Sequence, residues 1–302
     1  MTSLICIEAI MGSVKPLNQY IIAGSETWIW LDSGISTTPE EWILPELERR
    51  SLVPPRRNIL VLTHADVDHF GGASALARAL PGMLTVAHQL DRELLADREQ
   101  LIRRRYDSHR ESGVVIPDWR LDELRSRAGG AFTVDLSFAG SLQLHVDDDS
   151  WQLRHAPGHS NGHLVAWNET SRTVIVGDAA MGWGVVNGDG DLQPPHYIDV
   201  ADYLSTVQML RDLDADRMCL SHRHELHGAE VAAFLDESEA AVQEIRRAVA
   251  QAVLDGDPDS PSLLADVCEH VRREATRWPK TNPDAYASSI AAHLAEPEGA
   301  SR

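Results

Sequence analysis

Histidine is concentrated in three short windows of this 302-residue sequence. Eight of the 14 histidines lie there: His64 and His69; His155, His159 and His163; and His222, His224 and His227. Each window follows an apolar stretch with strand character and opens onto a Gly-rich or polar loop. Ligands that gather at one edge of a sheet need this placement, so the pattern predicts a cluster of metal-binding side chains.

The first window reads THADVDHFGG and carries four side chains of types that can bind metals. His64, Asp66, Asp68 and His69 supply two imidazoles and two carboxylates within six residues. Placed close together, the two carboxylates would repel each other and the imidazoles would lack partners unless a cation bound them all. Imidazole and carboxylate together suit Zn²⁺, iron and Mn²⁺, so the window predicts a divalent metal centre.

Three later elements carry single candidate ligands. His159 follows a Pro-Gly turn in HAPGHSNGH, Asp178 ends the apolar stretch VIVGD, and His222 ends MCLSH. We prefer His222 over His224 and His227 because His222 directly follows the apolar stretch. The three elements predict that distant parts of the chain meet at one site.

The elements that position these residues are predicted from apolar patterning. Residues 58–88 indicate strand, loop, helix and strand, the unit of a layered α/β fold. The first 50 residues are predicted as strands and turns, and the stretch from FTVDLSF to TVIVGD as a second sheet in meander order. From Val200 onward the pattern is almost wholly helical, with a linker at 255–261.

The charged segment 89–128 favours a solvated amphipathic helix. In an alternative interpretation, the segment covers the site and supplies Arg103, Arg104, Arg105 or Tyr106 to a substrate. An anionic substrate would need such basic groups.

The composition argues against several classes of protein. The chain has 27 Lys and Arg against 46 Asp and Glu, a net charge of −19, which argues against a general nucleic-acid binder. No apolar run approaches the ~20 residues that cross a bilayer. Three widely separated cysteines argue against a disulfide framework, and the N-terminal residues show no export signal. We therefore expect a cytoplasmic protein with a small-molecule substrate and no membrane or nucleic-acid partner.

The order of these elements resembles the metallo-β-lactamase-fold superfamily of metal-dependent hydrolases. That family carries HxHxDH after a strand, a PGH histidine, a strand-terminal Asp and a late strand-terminal His. The resemblance covers about residues 15–230, including NQYIIAGSETWIWLDSG. It implies an α+β fold, an αββα sandwich over residues 1–230 with a helical insertion at about 89–128. Residues 231–302 would form a helical C-terminal extension that packs on the sandwich or makes a homodimer contact.

The resemblance also implies a ligand set. The first of two divalent ions would be bound by His64, Asp66 and His159, and the second by Asp68, His69 and His222. Asp178 would bridge the two ions, and Asp68 and Asp178 would take part in orienting the attacking water. His155 and His163 would support the ligands structurally.

One position departs from the family pattern, because Asp66 stands where the second motif histidine is expected. An oxygen ligand favours Mn²⁺ or Fe²⁺ in the first site. Two Zn²⁺ ions are also compatible, since carboxylate is an acceptable zinc ligand. A third possibility is a weak or empty first site. The HxDxDH form resembles the hydrolase-like domain of bacterial competence membrane proteins, which suggests a nuclease or phosphodiesterase.

The chemistry that the resemblance implies is hydrolysis by a hydroxide held between two metal ions. The leading hypothesis is a hydrolase of a small carboxylic ester, lactone or thioester. The alternatives are a phosphodiester hydrolase, an iron-dependent oxygenase, or a binding protein without turnover. His196 and Tyr197 are candidates to protonate the leaving group. The sequence contains no G-x-S-x-G elbow, so covalent catalysis by serine is set aside.

Overall fold

A computed structural model describes residues 2–12, 15–187, 189–278 and 283–296. Within these residues, two six-stranded sheets form the centre of the molecule. The first sheet contains, in spatial and chain order, β1 (Ser3–Met11), β2 (Lys15–Ala23), β3 (Thr27–Leu31), β4 (Arg57–Val61), β5 (Leu84–His88) and β6 (Leu136–Phe138). Its first three strands are antiparallel, and β3 to β6 run parallel.

The second sheet is built mainly from consecutive antiparallel strands. It contains β7 (Ser141–Val146), β8 (Asp149–His155), β9 (Leu164–Asn168) and β10 (Thr173–Gly177), followed beyond β10 by β13 (Arg217–Leu220) and β14 (Leu226–His227). The pair β10 and β13 is parallel, so both strands end at the same edge. A separate ribbon pairs β11 (Val185–Val186) with β12 (Leu192–Gln193).

Helices cover the outer face of each sheet. Those on the first sheet are α1 (Leu44–Arg49), α2 (Val67–Phe70), α3 (Ala73–Ala79), α4 (Arg92–Ala96), α5 (Arg98–Leu101) and α6 (Asp118–Arg127). Two π-helical turns (Pro39–Ile43 and Ile102–Tyr106) and a 3₁₀ turn (Arg110–Ser112) accompany them. The second sheet is covered by α7 (Val200–Asp212), α8 (Ala229–Asp255), α9 (Leu263–Glu274) and α10 (Pro283–Leu294).

The three largest hydrophobic clusters of the described residues join the layers. Tyr20, Ile29 and Val61 of the first sheet meet Leu153 and Ile175 of the second between the two sheets. A second cluster joins the outer face of the first sheet to its helices, and a third joins the second sheet to α7–α10. Strand β10 is buried over its whole length, which explains its unbroken run of β-branched residues. The result is the expected αββα sandwich.

Several local predictions need correction. Residues 39–49 are helical, because Ile43 and Leu47 pack onto the first sheet, although the first 50 residues were expected to contain only strands and turns. Strand 136–138 pairs with β5 of the first sheet and does not start the second. The charged segment is divided into short helices where one longer helix was expected, and a π-helical turn lies at Ile102–Tyr106. No described helix is long and apolar enough to span a membrane.

Candidate metal centre

The candidate ligands come from loops that follow four strands. His64, Asp66, Asp68 and His69 lie in the turn and helix after β4. His159 follows β8, Asp178 follows β10, and His222 follows β13. Because β10 and β13 are parallel, the chain carries Asp178 and His222 out of the sheet at the same edge. The tertiary structure brings these loops together into one cluster.

Two sets of ligand atoms lie close together in this cluster. His64, His159 and Asp178 form one group, and Asp68, His69 and His222 form the other, each with its ligand atoms within 4.8 Å of one another. Asp178 Oδ2 lies 3.3 Å from His222 Nε2, 3.5 Å from His69 Nε2 and 4.0 Å from His159 Nε2. The Asp178 carboxylate therefore lies close to histidines of both groups; its predicted bridging role stays a prediction.

Each of the four cluster histidines donates its Nδ1–H away from the cluster. His69 Nδ1 is 2.8 Å from Asp32 Oδ2, His159 Nδ1 is 2.7 Å from the His196 carbonyl, and His222 Nδ1 is 3.0 Å from the Pro16 carbonyl. His64 Nδ1 lies 3.0 Å from the Thr63 hydroxyl. That hydroxyl gives its single proton to Asp32, so it accepts from His64. In the neutral rings, the inward Nε2 atoms consequently carry lone pairs.

Those inward nitrogen atoms are the test of whether a metal fits. The Nε2 atoms of His64, His69 and His222 are buried and make no hydrogen bond among the described residues. Buried polar atoms without a partner are costly, and a divalent cation satisfies imidazole lone pairs. Outer hydrogen bonds that orient each ring are typical of metal-binding histidines. The donor set and its orphaned atoms therefore fit a divalent metal.

Two buried carboxylates that support this cluster were not predicted from the sequence. Asp32, in the LDSG turn after β3, accepts hydrogen bonds from the Thr63 backbone N–H at 2.7 Å and from two side chains. Its φ of 64° lies in the left-handed region, which is uncommon outside glycine and marks a constrained position. Asp91 accepts from Ala65 N, Ser160 Oγ and Gly162 N, so it ties together the loops of His64 and His159. Asp32 could have been predicted, because it ends an apolar strand. The sequence around Asp91 contains no comparable pattern.

Asp66 has a partner that the sequence did not indicate. Arg105 donates to both of its oxygen atoms, from Nε to Oδ1 at 2.6 Å and from Nη2 to Oδ2 at 2.7 Å. Burial alone would raise the pKa of Asp66, but the Arg105 guanidinium outweighs burial and holds that pKa well below its usual value. Asp66 Oδ2 also lies 3.0 Å from His159 Nε2 and 3.3 Å from His64 Nε2. Arg105 thus reaches into the first of the two expected metal positions.

A family model for the metallo-beta-lactamase superfamily matches residues 13–222 of this chain. The chain belongs to the metallo-beta-lactamase superfamily. A human protein of similar sequence, "Acyl-coenzyme A thioesterase MBLAC2", is 24% identical over 215 residues, 68% of this chain and 71% of that protein. The "Putative transcription factor avaE" of Aspergillus versicolor is 32% identical over 121 residues, 40% of this chain and 32% of that protein.

Solved structures of the superfamily share the fold. A metallo-beta-lactamase family protein from Thermus thermophilus superposes with a TM-score of 0.71 at 19% identity, covering 96% of this chain and 91% of that chain. A "Beta-lactamase domain protein from Burkholderia ambifaria" gives a TM-score of 0.67 at 17% identity, covering 96% of this chain and 85% of that chain. The likeness extends over the C-terminal helices as well as the sandwich.

Among the residues predicted to support the superfamily ligands, His163 has a clear role. Its Nε2 accepts the backbone N–H of Asp178 at 3.1 Å, which fixes the turn that presents the carboxylate. Burial lowers the pKa of His163 well below its usual value, so the ring is neutral and can accept. Gly177 makes this turn with φ of 58°, and a Cβ there would lie 3.0 Å from the His163 ring. His155 lies outside the cluster, stacked on His88 at 4.1 Å.

Other predicted substrate contacts divide into those that reach the site and those that do not. Arg105 and Tyr106 face the ligand loop, and the Tyr106 hydroxyl accepts the Val67 backbone N–H at 2.9 Å. Arg103 is exposed, and Arg104 pairs with Glu93 at the surface, 2.7 Å away. The prediction that these two arginines reach the site is therefore corrected. They point outward because successive side chains on a helical turn face different directions.

The candidates for leaving-group protonation are also corrected. The Tyr197 side chain is fully buried, and its hydroxyl lies 2.9 Å from His293 Nε2 in the helical layer. The His196 ring packs beside His159 with centroids 5.3 Å apart, and its backbone carbonyl orients His159. Neither residue lines the cavity next to the ligands. His224 does line that cavity, whereas His227 is exposed on β14.

A cavity of ≈ 390 Å³ adjoins the ligand cluster. Asp178 and His222 form part of its wall, and apolar side chains form much of the rest, including Met181, Trp183, Val186 and Phe234. A second cavity of ≈ 300 Å³ lies beside Arg105 and Ser160 and is lined by none of the histidines of the cluster. Of these two cavities, the first is the one whose lining includes residues of the ligand groups.

Proposed function

We propose that this chain is a metal-dependent hydrolase of a small carboxylic ester, lactone or thioester. One observation carries the proposal: two metal-ligand residues, Asp178 and His222, also form the wall of a largely apolar cavity. A substrate held in that cavity has its reacting carbonyl at the ligands and its acyl group against hydrocarbon. Pockets of this size and apolar character are typical of small-molecule sites.

The six residues of the two ligand groups would hold the metal, at up to two positions. A bound divalent ion supplies Lewis acidity and lowers the pKa of a coordinated water, so that hydrolysis proceeds near neutral pH. The chain's own contribution is to orient the ligands through Asp32, Thr63 and two backbone carbonyls. Zn²⁺, Mn²⁺ and Fe²⁺ all suit this mixture of imidazole and carboxylate.

The cavity wall supports an acyl substrate. The Trp183 ring is covered on one face by the Arg277 guanidinium, 3.6 Å from the ring centroid, which stiffens this side of the cavity. Arg223 lies over the Phe234 ring at 4.9 Å and lines the same cavity, where its Nη1 lies 3.7 Å from Glu237 Oε2, another residue of the lining. A hydrophobic wall with this Arg–Glu pair at its side suits an acyl chain attached to a polar leaving group. The human relative described as an acyl-CoA thioesterase supports the thioester option.

The test is a substrate panel with metal-loaded protein. Chromogenic esters of increasing acyl length, a lactone, acyl-CoA thioesters and a phosphodiester are assayed with Zn²⁺, Mn²⁺ and Fe²⁺. We expect turnover of an ester, lactone or thioester that His222→Ala abolishes. His227→Gln is the matched control, because His227 lies five residues away, is exposed and contacts no ligand atom of the cluster.

The panel also separates the competing functions. Cleavage of the phosphodiester alone would move the assignment to a phosphodiesterase or nuclease. No turnover of any substrate by protein that retains its metal would contradict a hydrolase. That result would favour a binding protein or, with iron bound, an oxygenase.

A further inference from the structure

The Arg105 guanidinium stands inside the ligand cluster. Besides its two hydrogen bonds to Asp66, its Nη1 donates to the His159 carbonyl at 2.9 Å, and its Nη2 lies 3.0 Å from His159 Nε2. The Arg105 side chain is only 5% exposed. A guanidinium nitrogen has no lone pair, so in the neutral His159 ring, whose Nδ1–H faces the His196 carbonyl, Nε2 accepts an N–H from Arg105. The same Nε2 lies 3.0 Å from Asp66 Oδ2. The Arg105 N–H occupies the lone pair that a metal would use.

The histidines of the cluster differ for this reason. His64, His69 and His222 each present a buried Nε2 without a hydrogen bond, whereas His159 Nε2 is already bonded. The other nitrogen of His159 is committed to the His196 carbonyl. His159 therefore has no free ligand atom while Arg105 keeps this position.

We propose that the Arg105 guanidinium competes with a metal ion for His159 and Asp66. The chain would bind one divalent ion tightly, at Asp68, His69 and His222 with Asp178 nearby, and a second ion only weakly. Arg105 then supplies the positive charge that balances Asp66 at the first position. This inference rests on the metal centre of the proposed function and is independent of the substrate class.

The second cation in the cluster does not remove this asymmetry. Lys15 Nζ contacts one oxygen of Asp68 at 2.7 Å. It makes no described contact with His69 or His222, whose Nε2 atoms stay without a hydrogen bond. Lys15 leaves those ring nitrogens open to a metal, whereas Arg105 takes both oxygens of one carboxylate and a ring nitrogen.

Metal titration of the metal-free protein tests the proposal. Equilibrium dialysis against Mn²⁺ with elemental analysis gives ions bound per chain, and low-temperature electron paramagnetic resonance distinguishes an isolated ion from a spin-coupled pair. The unmutated protein should bind one ion, with the second weaker by about tenfold or more. Arg105→Gln should tighten binding of the second ion by about 10–100-fold and yield the coupled-pair spectrum.

Two further variants complete the design. Arg103→Gln removes an exposed arginine from the same turn and should leave the titration unchanged. Arg105→Lys keeps the charge but cannot contact both Asp66 oxygens and His159 Nε2 together, so it should give an intermediate gain even if Arg105→Gln does not fold. Two ions of equal affinity in the unmutated protein, or no gain in a folded Arg105 variant, would overturn the proposal.

Failure of this proposal is distinguishable from failure of the proposed function. The titration measures bound metal and needs no substrate. A protein that binds one ion tightly and hydrolyses nothing would contradict the function but keep the inference. A protein that hydrolyses esters and binds two ions equally tightly would keep the proposed function but contradict the inference about Arg105.

Discussion

Asp32 orients two candidate metal-ligand histidines through hydrogen bonds, so Asp32→Asn should weaken metal binding without removing a candidate ligand. The carboxylate accepts from His69 Nδ1 directly, and it orients the Thr63 hydroxyl that accepts from His64 Nδ1. In the amide, one oxygen can still accept the Thr63 backbone N–H, but the NH₂ group faces His69 and the Thr63 hydroxyl. Asparagine tolerates the left-handed backbone at this position, so the substitution is conservative in shape.

The magnitude follows from the two tautomers. Without an acceptor at Nδ1, the proton of His69 moves to Nε2, and the reversed Thr63 hydroxyl shifts the His64 proton in the same way. Both inward nitrogens then carry a hydrogen that a metal must displace. Loss of one such supporting hydrogen bond typically lowers metal affinity about 10–100-fold. A loss of that size is about 1.4–2.7 kcal/mol.

Competition titration with a chromophoric chelator measures this change, and Asp91→Asn is the matched control. Asp91 is also a buried carboxylate with three hydrogen bonds, but it touches no ring nitrogen of the cluster. In excess chelator, both variants should lose about 1–3 kcal/mol of unfolding free energy, because each weakens a buried acceptor. Only Asp32→Asn should weaken metal binding strongly. Metal affinity equal to that of the unmutated protein would refute the reasoning.

Three further predictions follow from the site and its surroundings. Asp178→Asn should remove most of the bound metal found by elemental analysis, because its Oδ2 lies 3.5 Å from His69 Nε2 and 3.3 Å from His222 Nε2, whereas His227→Gln should keep the metal. Equal metal content in the two variants would contradict Asp178 as a ligand. Trp183→Ala should raise KM for long acyl substrates more than for acetyl esters, because the substitution removes part of the apolar cavity wall. A uniform change in KM, or no change, would argue against this cavity as the acyl site. Burial and the stacked His155 lower the pKa of His88 to about 4, below its value in the unfolded chain. The neutral His88 ring therefore stabilises the fold above pH 6.5, and this contribution is lost as the pH falls towards 4. The unfolding free energy, measured by denaturant titration, should decrease between pH 7 and pH 5 by about 1 kcal/mol less in His88→Gln than in the unmutated protein, after allowance for solvent screening. The same pH profile in both proteins would show that His88 does not titrate in this way.

Most of the candidate ligands could be predicted from the sequence. His64, Asp178 and His222 stand just after apolar stretches. Six of the seven predicted ligands come together in the two groups: His64, Asp68, His69, His159, Asp178 and His222. The seventh, Asp66, lies outside both groups and pairs with Arg105. Strand ends are local features, because a run of β-branched and apolar residues followed by Gly or a polar turn is readable in a short window. The domain boundary at residue 230, the homodimer contact and the cytoplasmic location stay predictions.

The sequence by itself indicated the strands and the residue types at the candidate metal centre, because strand ends and ligand spacing are short-range properties. The sandwich was implied by the resemblance of these motifs to a known superfamily. Only the tertiary structure decided which groups orient and neutralise those ligands. Asp32 meets His69 across 37 residues, Arg105 meets Asp66 across 39, and the Pro16 carbonyl meets His222 across 206. No local spacing encodes such contacts, since they depend on how two sheets and their covering helices pack. Arg105 illustrates the point: three consecutive arginines look alike in sequence, and packing turns one of them into the cluster.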